Sequence, residues 1–528
     1  EMTSSLVGSE MCIRDRFMKN SSRKWFSLFA MSLGVFMGLL DVTVVNVALP
    51  TMQKAFNEPF TQLQWVLNAY TLVFAVTLLI VSKMGDMYGR KKIFLASLIL
   101  FVIASVVNGF APSLLILDIG RGVQAVGGAG MMSLSMALVA SNFDGKQRGL
   151  ALGILGSVIG LSSASGPLVG GLLVDAFGWE SIFFINLPIG IIAVLMTVRF
   201  VKETPSYGKD QKIDFIGMIL SAAALFSAIY GLIQKETHLS WAWTDLRIGG
   251  WLLLAVVFLA LFIFAEAKVQ NPMMNLSMFK NINFIGSVLV AFALGSGIYA
   301  FNTYLTVLMQ NYIGWSAFDT GIRQLALSVW SLILGPVVGI LGNKFSKKWM
   351  IVAGLLVSGA GFIFLIGQLS PTMGYAQLWP TLVMIGIANG IVNPVLNSVG
   401  LEGVAPQEMG MASGLLNVFR QFGTSFGVVI LGLVEANRYG NVVSQQASSL
   451  HLPEKLVNGL IKAGPFSGHE IAFSNALSKA PFAQDLQKLV VDAFDKGLIQ
   501  ICYVAGTIVL IGAIGAAIFM RESKEVVE

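Results

Sequence analysis

Hydrophobic residues in this chain are gathered into long runs, which short stretches of polar residues, glycine and proline separate. A helix that crosses a bilayer needs about 20 mostly apolar residues. Fourteen runs are long enough, and each predicts one spanning helix. The predicted spans are 25–49, 65–81, 93–111, 114–140, 150–174, 182–201, 213–234, 248–269, 284–309, 321–341, 350–369, 378–401, 411–434 and 498–520. Because the number of spans is even, both termini are predicted on the same side of the membrane.

Lysine and arginine indicate which side is cytoplasmic. They are concentrated in alternate loops, such as the loop between the second and third spans, which holds Lys83, Arg90, Lys91 and Lys92. Loops that retain positive charge face the cytoplasm. We therefore predict that both termini are cytoplasmic. This topology accounts for the formal net charge of +6, so the charge does not indicate a nucleic-acid partner.

The composition excludes several classes of protein. Because 55% of the residues are hydrophobic and 12% are charged, the chain does not resemble a soluble domain. The two cysteines lie far apart in the sequence and offer neither a disulfide framework nor a thiolate metal site. We recognise no metal-binding HExxH pair, no nucleophile turn of the GxSxG kind and no phosphate loop. The sequence therefore predicts a protein that is not an enzyme, has no cofactor or metal, and does not use ATP directly.

The first residues of the chain differ from the rest. The sequence EMTSSLVGSEMCIRDR has neither the apolar core of a signal peptide nor the periodicity of a helix. It resembles translated read-through of a sequencing adapter. We interpret residues 1–17 as a leader foreign to the fold.

One short sequence recurs in the second half of the chain. SKMGDMYGRKK at 82–92 follows the second span, and the similar GILGNKFSKKW at 339–349 follows the tenth. Secondary transporters are built from such internal repeats and rock one bundle against the other around a central site. The repeat predicts an N-terminal six-helix bundle, a linker with two extra helices and a C-terminal six-helix bundle, at 18–201, 202–281 and 282–528.

Four motifs resemble those of the major facilitator superfamily, specifically its fourteen-span drug:proton antiporters. They are LDVTVVNVALP at 40–50 in the first span, SKMGDMYGRKK at 82–92, RGVQAVGGAG at 121–130 in the fourth span, and GILGSVIGLSSASGPLVGG at 153–171 in the fifth. The resemblance implies an all-α integral membrane protein with the major facilitator fold. It also implies proton-coupled export of lipophilic, often cationic drugs by alternating access.

Asp41 and Arg121 are the candidate residues for proton coupling and substrate binding. A charge at the centre of a spanning helix costs about 2.5 to 3.5 kcal/mol, so it usually faces a partner or a cavity. At about 1.5 Å per residue, Asp41 lies about 13 Å from the outer end of the first span, and Arg121 about 12 Å from that of the fourth. Asp118 is a competing partner, because it lies three residues before Arg121 on the same helix face. Gln124 of the fourth-span motif joins this set.

Two further sets of residues follow from the motifs. The loop motif predicts a cytoplasmic gate, and its basic residues also serve the membrane topology. The fifth-span motif predicts a flexible seam between the bundles, and tight packing of small residues in the membrane is the alternative. The predicted gate residues are Asp86, Gly89, Arg90 and Lys91, and those of the seam are Gly153, Gly166, Pro167, Gly170 and Gly171.

Polar and aromatic residues of the second half form a third set. Arg420 lies near the middle of span thirteen, and no acidic residue of the second half lies at that depth. These residues either line a cavity or form a hydrogen-bond network between helices. The candidates are Asn389, Asn393, Asn397, Asn417, Arg420, Tyr299 and Trp330. Asp319 and Arg323 are interpreted instead as an ion pair at the outer end of span ten.

The loop at 435–496 is extracellular by the count of spans. Within it, QDLQKLVVDAF places four apolar residues on one helical face, which predicts an interfacial helix or a lid. A loosely structured connector is the alternative.

The leading hypothesis is a monomeric multi-pass exporter in a bacterial cytoplasmic membrane, whose partners are protons, a lipophilic substrate and the bilayer. A dedicated exporter of one metabolite, fatty acid or antimicrobial is the main alternative. An ion channel or a polytopic membrane enzyme is a further alternative from another class. The two-bundle repeat argues against the channel, and the absence of a recognised catalytic motif argues against the enzyme.

Overall fold

The computed structural model describes residues 2–521 except 59, 144, 207–213, 239, 343, 371–372, 448–449, 451 and 474–481. Within these residues the regular elements are helices, and no strand occurs. The α-helices are α1 Met2–Phe56, α2 Phe60–Tyr88, α3 Arg90–Gly109, α4 Leu114–Asn142, α5 Gly145–Phe177, α6 Ser181–Phe184, α7 Asn186–Phe200, α8 Phe215–Thr237, α9 Gly249–Glu266, α10 Ile282–Ala293, α11 Ala300–Val307, α12 Ala317–Leu341, α13 Lys347–Ile366, α14 Tyr375–Gly400, α15 Met409–Ala447, α16 Glu454–Ala472 and α17 Ala483–Phe519.

Thirteen spans among the described residues are long and apolar enough to cross a membrane, and the bent helix α5 brings the number to fourteen. α6 and α7 together form the sixth span. The ninth span combines α10 and α11 with two π-helical segments, Leu294–Tyr299 and Leu308–Tyr312. The prediction of fourteen spanning helices is therefore confirmed.

α1 and α5 each contain a proline. α1 begins at Met2, so the helix includes residues 2–17, which were interpreted from the sequence as a leader foreign to the fold. In α5, the parts Gln147–Ser162 and Ser165–Phe177 meet at 45°. The bend lies about one turn before Pro167, where a proline ring clashes with the carbonyl four residues earlier. Pro167 therefore accounts for the bend in α5.

α5 and α12 form a seam between the two halves of the chain. A Cβ atom on Gly153 would lie 2.3 Å from the carbonyl oxygen of Gly335, and one on Gly321 would lie 2.4 Å from the backbone nitrogen of Leu168. The two backbones therefore touch without intervening side chains at both ends of the seam. Ser157 adds a hydrogen bond across it, donating to the carbonyl of Ser331 at 2.9 Å.

One of the two inserted helices, α8, packs against both halves. α8 and α9 contact each other, and α8 also contacts α2 and α15. α2 belongs to the first six spans and α15 to the last six. The inserted pair thus covers the side of the molecule where these two helices meet.

The ends of α2, α4 and α15 that adjoin the basic loops are in direct contact. Met411 donates its backbone N–H to Asp86 at 2.9 Å, and the hydroxyl of Ser413 donates to the carbonyl of Ser133 at 2.7 Å. A Cβ atom on Gly414 would lie 2.4 Å from the hydroxyl oxygen of Ser82. The structure is therefore closed on its cytoplasmic side.

A small helical cap covers the opposite side of the second half. We define the outer cap as α16 together with the parts of α15 beyond residue 434 and of α17 before residue 498. The apolar face predicted from QDLQKLVVDAF is buried, and it packs against α15 and α16. Tyr312 stacks on Phe494 with 4.3 Å between ring centroids and donates its hydroxyl proton to Asp495. The loop is thus a packed helical unit, neither a flat interfacial helix nor a loose connector among its described residues.

Candidate functional site

Asp41 lies inside the N-terminal group of helices. Only 1% of its surface is exposed, although it belongs to a span with no other carboxylate between residues 25 and 49. α1 packs against α4, α5 and α7 at this level, so residues from several helices surround the carboxylate. A buried carboxylate requires a counter-charge or several hydrogen bonds.

Both oxygens of Asp41 accept hydrogen bonds. Arg121 donates from Nη1 to Oδ2. Gln124 donates from Nε2 to Oδ1 at 2.8 Å, and Asn186 donates from Nδ2 to the same oxygen at 3.0 Å. The carboxylate thus has one charged and two neutral hydrogen-bond donors.

A second layer of polar groups fixes the side chain of Gln124. Its amide nitrogen donates to Ser105 at 2.8 Å, and its oxygen accepts from Asn108 at 2.8 Å. Gly120 makes room for Asn108, because a Cβ atom there would lie 1.9 Å from the oxygen of that amide. Gln124 is therefore oriented so that its nitrogen points at Asp41.

Arg121 is held from three directions. Besides Asp41, it donates from Nε to the carbonyl of Val66 at 3.1 Å and from Nη1 to Gln124 at 2.7 Å. Its guanidinium also lies over the ring of Tyr70, at 4.3 Å from the centroid. Nη2 has no hydrogen-bond partner among the described residues. One donor of this buried cation thus remains available.

Asp118 does not take the place of Asp41 in this structure. The ion pair of Arg121 is with Asp41, whereas Oδ1 of Asp118 is buried and lacks a hydrogen-bond partner within the described part of the chain. Asp118 nevertheless lies close enough to Arg121 to interact with its charge. Two carboxylates therefore flank one guanidinium.

The predicted gate joins the two halves through Asp86. Its Oδ1 accepts from Nε of Arg90 at 2.8 Å and from the backbone of Gly410 at 3.1 Å. Arg90 also donates to Ser141 at 2.8 Å and to the carbonyl of Pro406 at 2.5 Å. The pair thus holds the start of α15 against α2 and α4.

Gly89 and Lys91 adjoin this pair at the start of α3. Gly89 has a φ of 111°, a conformation that favours glycine. Glu203 accepts the backbone N–H of Lys91 at 2.9 Å, and a carboxylate at a helix N-terminus is favourable. Lys91 itself donates from Nζ to the carbonyl of Val198 at 3.0 Å. These two residues therefore position the loop within the first half and make none of the bonds to α15.

The glycines of the fifth-span motif contact two different helices. Cβ atoms on Gly166 and Gly170 would lie 2.1 Å from Thr43 and 3.3 Å from Val44, both in α1. Gly153 and Gly171 instead face α12. α5 therefore lies between the helix that carries Asp41 and the seam.

In the second half, Arg420 is paired with amides. It donates to Asn397 at 3.2 Å and to Asn417 at 3.4 Å, and its Nε has no partner among the described residues. Tyr299 donates to Asn393 at 3.1 Å. The asparagines thus form a hydrogen-bond network between helices. Trp330 is 37% exposed and takes no part in it.

A π-helical segment lies beside Arg420. A Cβ atom on Gly295 would lie 2.1 Å from the carbonyl oxygen of Arg420, so the segment Leu294–Tyr299 touches the backbone of α15. Segments of this type are frequent at functional sites.

Two other sequence features have a structural explanation. The sequence GTSFG at 423–427 fits a GxSxG pattern, but it lies within α15 and forms no nucleophile turn. Asp319 and Arg323 form the predicted ion pair at 2.9 Å.

Sequence reasoning missed several neutral partners of the site. Asn186, Ser105, Asn108 and Tyr70 surround Asp41 and Arg121, but none carries a charge that would stand out in an apolar run. Asn186 and Asn108 are nevertheless amides inside predicted spans, and a buried amide in a membrane requires a partner. The presence of these two amides in predicted spans was therefore the signal from which they could have been found.

The protein encloses a charge pair, has a seam of close backbone contact between its two halves and is closed at its cytoplasmic end. These features are typical of a secondary transporter. A sequence profile described as Major Facilitator Superfamily matches residues 31–428. The chain belongs to the major facilitator superfamily, and it is a multi-pass membrane protein.

Individual relatives agree with this assignment. The chain is 30% identical over 520 residues to the tetracenomycin C resistance and export protein of Streptomyces glaucescens, covering 95% of this chain and 92% of that protein. It is 32% identical over 411 residues to the multidrug resistance protein Stp of Mycobacterium tuberculosis, covering 78% and 75%. The crystal structure of the human organic anion transporter MFSD10 shares the fold, with a TM-score of 0.60 and 14% identity over 93% of this chain and 99% of that one.

Proposed function

We propose that the protein exports lipophilic, often cationic compounds in exchange for protons, by alternating access between the two six-helix bundles. The observation that carries the proposal is the enclosed carboxylate of Asp41, which faces Arg121 inside the N-terminal bundle. The relatives named for multidrug resistance and for antibiotic export support the export of drug-like compounds.

Asp41 supplies the proton site. In its ionised form it accepts from Arg121, Gln124 and Asn186, as in this structure. When the carboxylate takes up a proton it loses its charge, and Arg121 is left as a buried cation that requires another anion. Asp118 lies three residues away on the same helix face, with one oxygen unpartnered among the described residues. Arg121 therefore turns between Asp41 and Asp118 as Asp41 loses and gains its proton.

A cationic substrate and a proton compete for the same negative charge in this scheme. Either the proton or the cation neutralises Asp41, so the protein carries only one of them at a time. Export of the cation is therefore exchanged for import of the proton. Moving one charge through a membrane potential of 100 mV supplies about 2.3 kcal/mol before any pH gradient is added. This is enough to shift an equilibrium between two conformations about fiftyfold.

The contact between Asp86, Arg90 and the start of α15 acts as the cytoplasmic gate in the same cycle. It bridges the two halves only when their cytoplasmic ends are together, as they are here. The contact thus stabilises the state that is closed to the cytoplasm, and it must break for a substrate to enter from that side.

The decisive experiment is transport in proteoliposomes with an imposed pH gradient, comparing the wild type with Asp41→Asn. Uptake of a fluorescent lipophilic cation should be driven by the gradient in the wild type. Asp41→Asn keeps the shape of the side chain but cannot take up a proton, so it should lose nearly all gradient-driven uptake. Transport by Asp41→Asn at the wild-type rate and with the wild-type pH dependence would disprove the proposal.

A dedicated exporter of one antimicrobial is the second candidate. The name of the Streptomyces relative refers to a single compound, tetracenomycin C. In addition, the hydrogen bonds of the Arg420 side chain to described residues are with the amides of Asn397 and Asn417, so this buried cation in the second half suits an acidic substituent on a substrate. Substrate-stimulated pH changes, measured with a panel of cations, acids and neutral compounds, separate broad from narrow specificity.

The proposal also includes the setting in which the protein works. The bacterial relatives and the basic cytoplasmic loops support a bacterial cytoplasmic membrane. The central site and the gate are built from one chain, which supports a monomer as the working unit.

A further inference from the structure

A cavity of about 490 Å³ lies beside the gate on the cytoplasmic side. α2 contributes one wall, the segment after α9 contributes the second, and the start of α15 contributes the third. The wall from α2 includes Lys83 and Met87, and the wall from the segment after α9 includes Met273 and Met278. Glu408, directly before α15, lies in the third wall. Because the two bundles and the linker must come together to enclose it, the cavity is complete only in the state that is closed to the cytoplasm.

The lining of the cavity combines polar and charged side chains with a group of methionines that can adapt to an apolar ligand. Four methionines contribute to it, which are Met87, Met273, Met278 and Met411. Methionine is unbranched and polarizable, and it recurs at promiscuous binding surfaces because it adapts to different partners. A volume of this size is within the range of pockets that bind drug-sized molecules.

The described charges around the cavity are predominantly negative. Lys83 interacts with four carboxylates, those of Asp86, Glu266, Glu408 and Asp214. Lys83 also donates from Nζ to the carbonyl of Pro272 at 2.9 Å. Asp86 is neutralised by its ion pair with Arg90. Of the remaining three carboxylates, Glu408 lines the cavity, whereas Asp214 and Glu266 lie near Lys83 outside the lining. Together the three carboxylates outnumber the one lysine.

Two of these carboxylates are buried and close together. Asp214 accepts from the backbone of Gly217 at 2.8 Å, and Glu266 accepts from that of Met274 at 2.9 Å. Their other oxygens have no partner among the described residues. A Cβ atom on Gly217 would lie 2.3 Å from Glu266 Oε1 and 2.6 Å from Asp214 Oδ2, so both free oxygens point at the same place. If one proton bridges the two oxygens, Asp214 and Glu266 together keep one negative charge. With the charge of Glu408, the negative charge still exceeds the single positive charge of Lys83.

We propose that this cavity is a second binding site for lipophilic cations, separate from the transport route and open to the cytoplasm when the gate is closed. The inference rests on the proposed function in one respect, namely that the closed state is a step of the export cycle. A cation bound here stabilises the closed state, because the cavity does not exist in the other state. The return to the state open to the cytoplasm is then slowed. High cytoplasmic concentrations of a cationic substrate therefore inhibit export.

The first test measures binding of tetraphenylphosphonium to the full chain in lipid nanodiscs. Ser133→Cys and Ser413→Cys are combined and oxidised to hold the cytoplasmic side closed, because these residues are hydrogen-bonded across the two halves. Combined with Asp41→Asn, which removes the charge of the central site, the closed protein should bind one equivalent. Glu408→Gln should weaken this binding by about tenfold, since it removes one negative charge at close range. Glu454→Gln is the matched control, because it alters an exposed glutamate at the start of α16.

A second variant distinguishes loss of the cavity from loss of folding. Met278→Trp fills the cavity without changing its charge, and it should also abolish binding in the closed protein, while the thermal unfolding temperature stays near that of the wild type. If the closed protein binds no tetraphenylphosphonium, or if Glu408→Gln and Met278→Trp bind it as tightly as the control, the proposal is wrong.

The second test is the dependence of transport on substrate concentration. In the wild type, export of tetraphenylphosphonium should pass through a maximum and then decline, whereas Glu408→Gln should rise to a plateau. A plateau in the wild type would overturn the inhibitory role. Asp41→Asn separates the two proposals, because its gradient-driven transport tests the proposed function and binding to its closed form tests the cavity. Loss of transport without cavity binding refutes this inference alone, and cavity binding with normal transport refutes the proposed function alone.

Discussion

Replacement of Asp86 by asparagine is expected to open the cytoplasmic side of the protein. The carboxylate is 5% exposed and accepts two backbone hydrogen bonds from the other half of the chain, from Gly410 at 3.1 Å and from Met411 at 2.9 Å. It also forms the ion pair with Arg90 at 2.7 Å. Asparagine has one acceptor oxygen in place of two and carries no charge, so it cannot maintain this set of bonds.

The size of the effect follows from the number of bonds. A hydrogen bond to a charged group contributes about 1.5 to 3 kcal/mol, and a neutral one contributes about 0.5 to 1.5 kcal/mol. Replacing two charged bonds between the halves by one neutral bond therefore costs the closed state about 2 to 4 kcal/mol. This changes the ratio of closed to open molecules by a factor of roughly 30 to 700. A closed state that exceeds the open state by less than this factor in the wild type becomes the minority state.

The assay is labelling of Ser413→Cys by a membrane-impermeant maleimide in inside-out vesicles. In the wild-type background this position is buried against Ser133 and should react slowly. With Asp86→Asn added, the rate of labelling should rise by about tenfold or more, and gradient-driven transport should fall because the closed state forms too rarely.

Asp319→Asn is the matched control. Asp319 also pairs with an arginine four residues later, at 2.9 Å, but it is half exposed and lies within one helix of the second half. It should leave the labelling rate of the introduced cysteine unchanged. Equal labelling of that cysteine in the Asp86→Asn and Asp319→Asn backgrounds would refute the view that Asp86 holds the two halves together.

Two other substitutions test the seam and the charge pair. Gly153→Ala places a methyl group 2.3 Å from the carbonyl oxygen of Gly335, so it should cost about 1 to 3 kcal/mol of seam packing and slow transport by about tenfold. Gly359→Ala is its control in the same transport assay, because a Cβ atom there meets nothing within 4 Å. Arg121→Lys retains the charge, but an ammonium cannot reproduce the planar set of bonds to Asp41, Gln124 and the carbonyl of Val66. Gradient-driven transport should fall by about tenfold, whereas Arg323→Lys at the exposed outer pair should transport normally.

The number and order of the spans could be predicted because the requirement is local. Each stretch of lipid-facing helix needs about 20 apolar residues, whatever its neighbours are. The ends of the helices could not be predicted from the same signal. The second predicted span was 65–81, but α2 runs through Phe60–Tyr88, since backbone hydrogen bonding continues beyond the apolar run. α15 continues to Ala447 because its outer turns bury an apolar face in the outer cap.

The candidate site was predictable where a residue carries a charge or, like Gln124, belongs to a recognised motif, and not at its other neutral residues. Asp41 and Arg121 stand out because an ionised group in a span is costly unless it has a partner. Asn186, Ser105 and Asn108 complete the site at no such cost, and their meeting point depends on how α3, α4 and α7 pack around α1. The contacts of Asp86 with Gly410 and Met411 join residues more than 300 positions apart in the sequence. A local sequence pattern cannot predict a contact between such distant residues.

The glycine spacing of α5 connects the charge pair to the seam. Thr43 lies two residues after Asp41, and its side chain occupies the space that a side chain on Gly166 would need. On its other side, α5 touches α12 through Gly153, and Ser331 of α12 lies against Gly160. α5 therefore has no side chain at these positions to absorb a displacement of α1. Because a close-packed interior transmits strain, we expect a rearrangement around Asp41 to displace the outer part of α5, and the displacement to reach the seam across the bend in this helix. This contiguity gives protonation of one enclosed carboxylate a physical route to the movement of one bundle against the other.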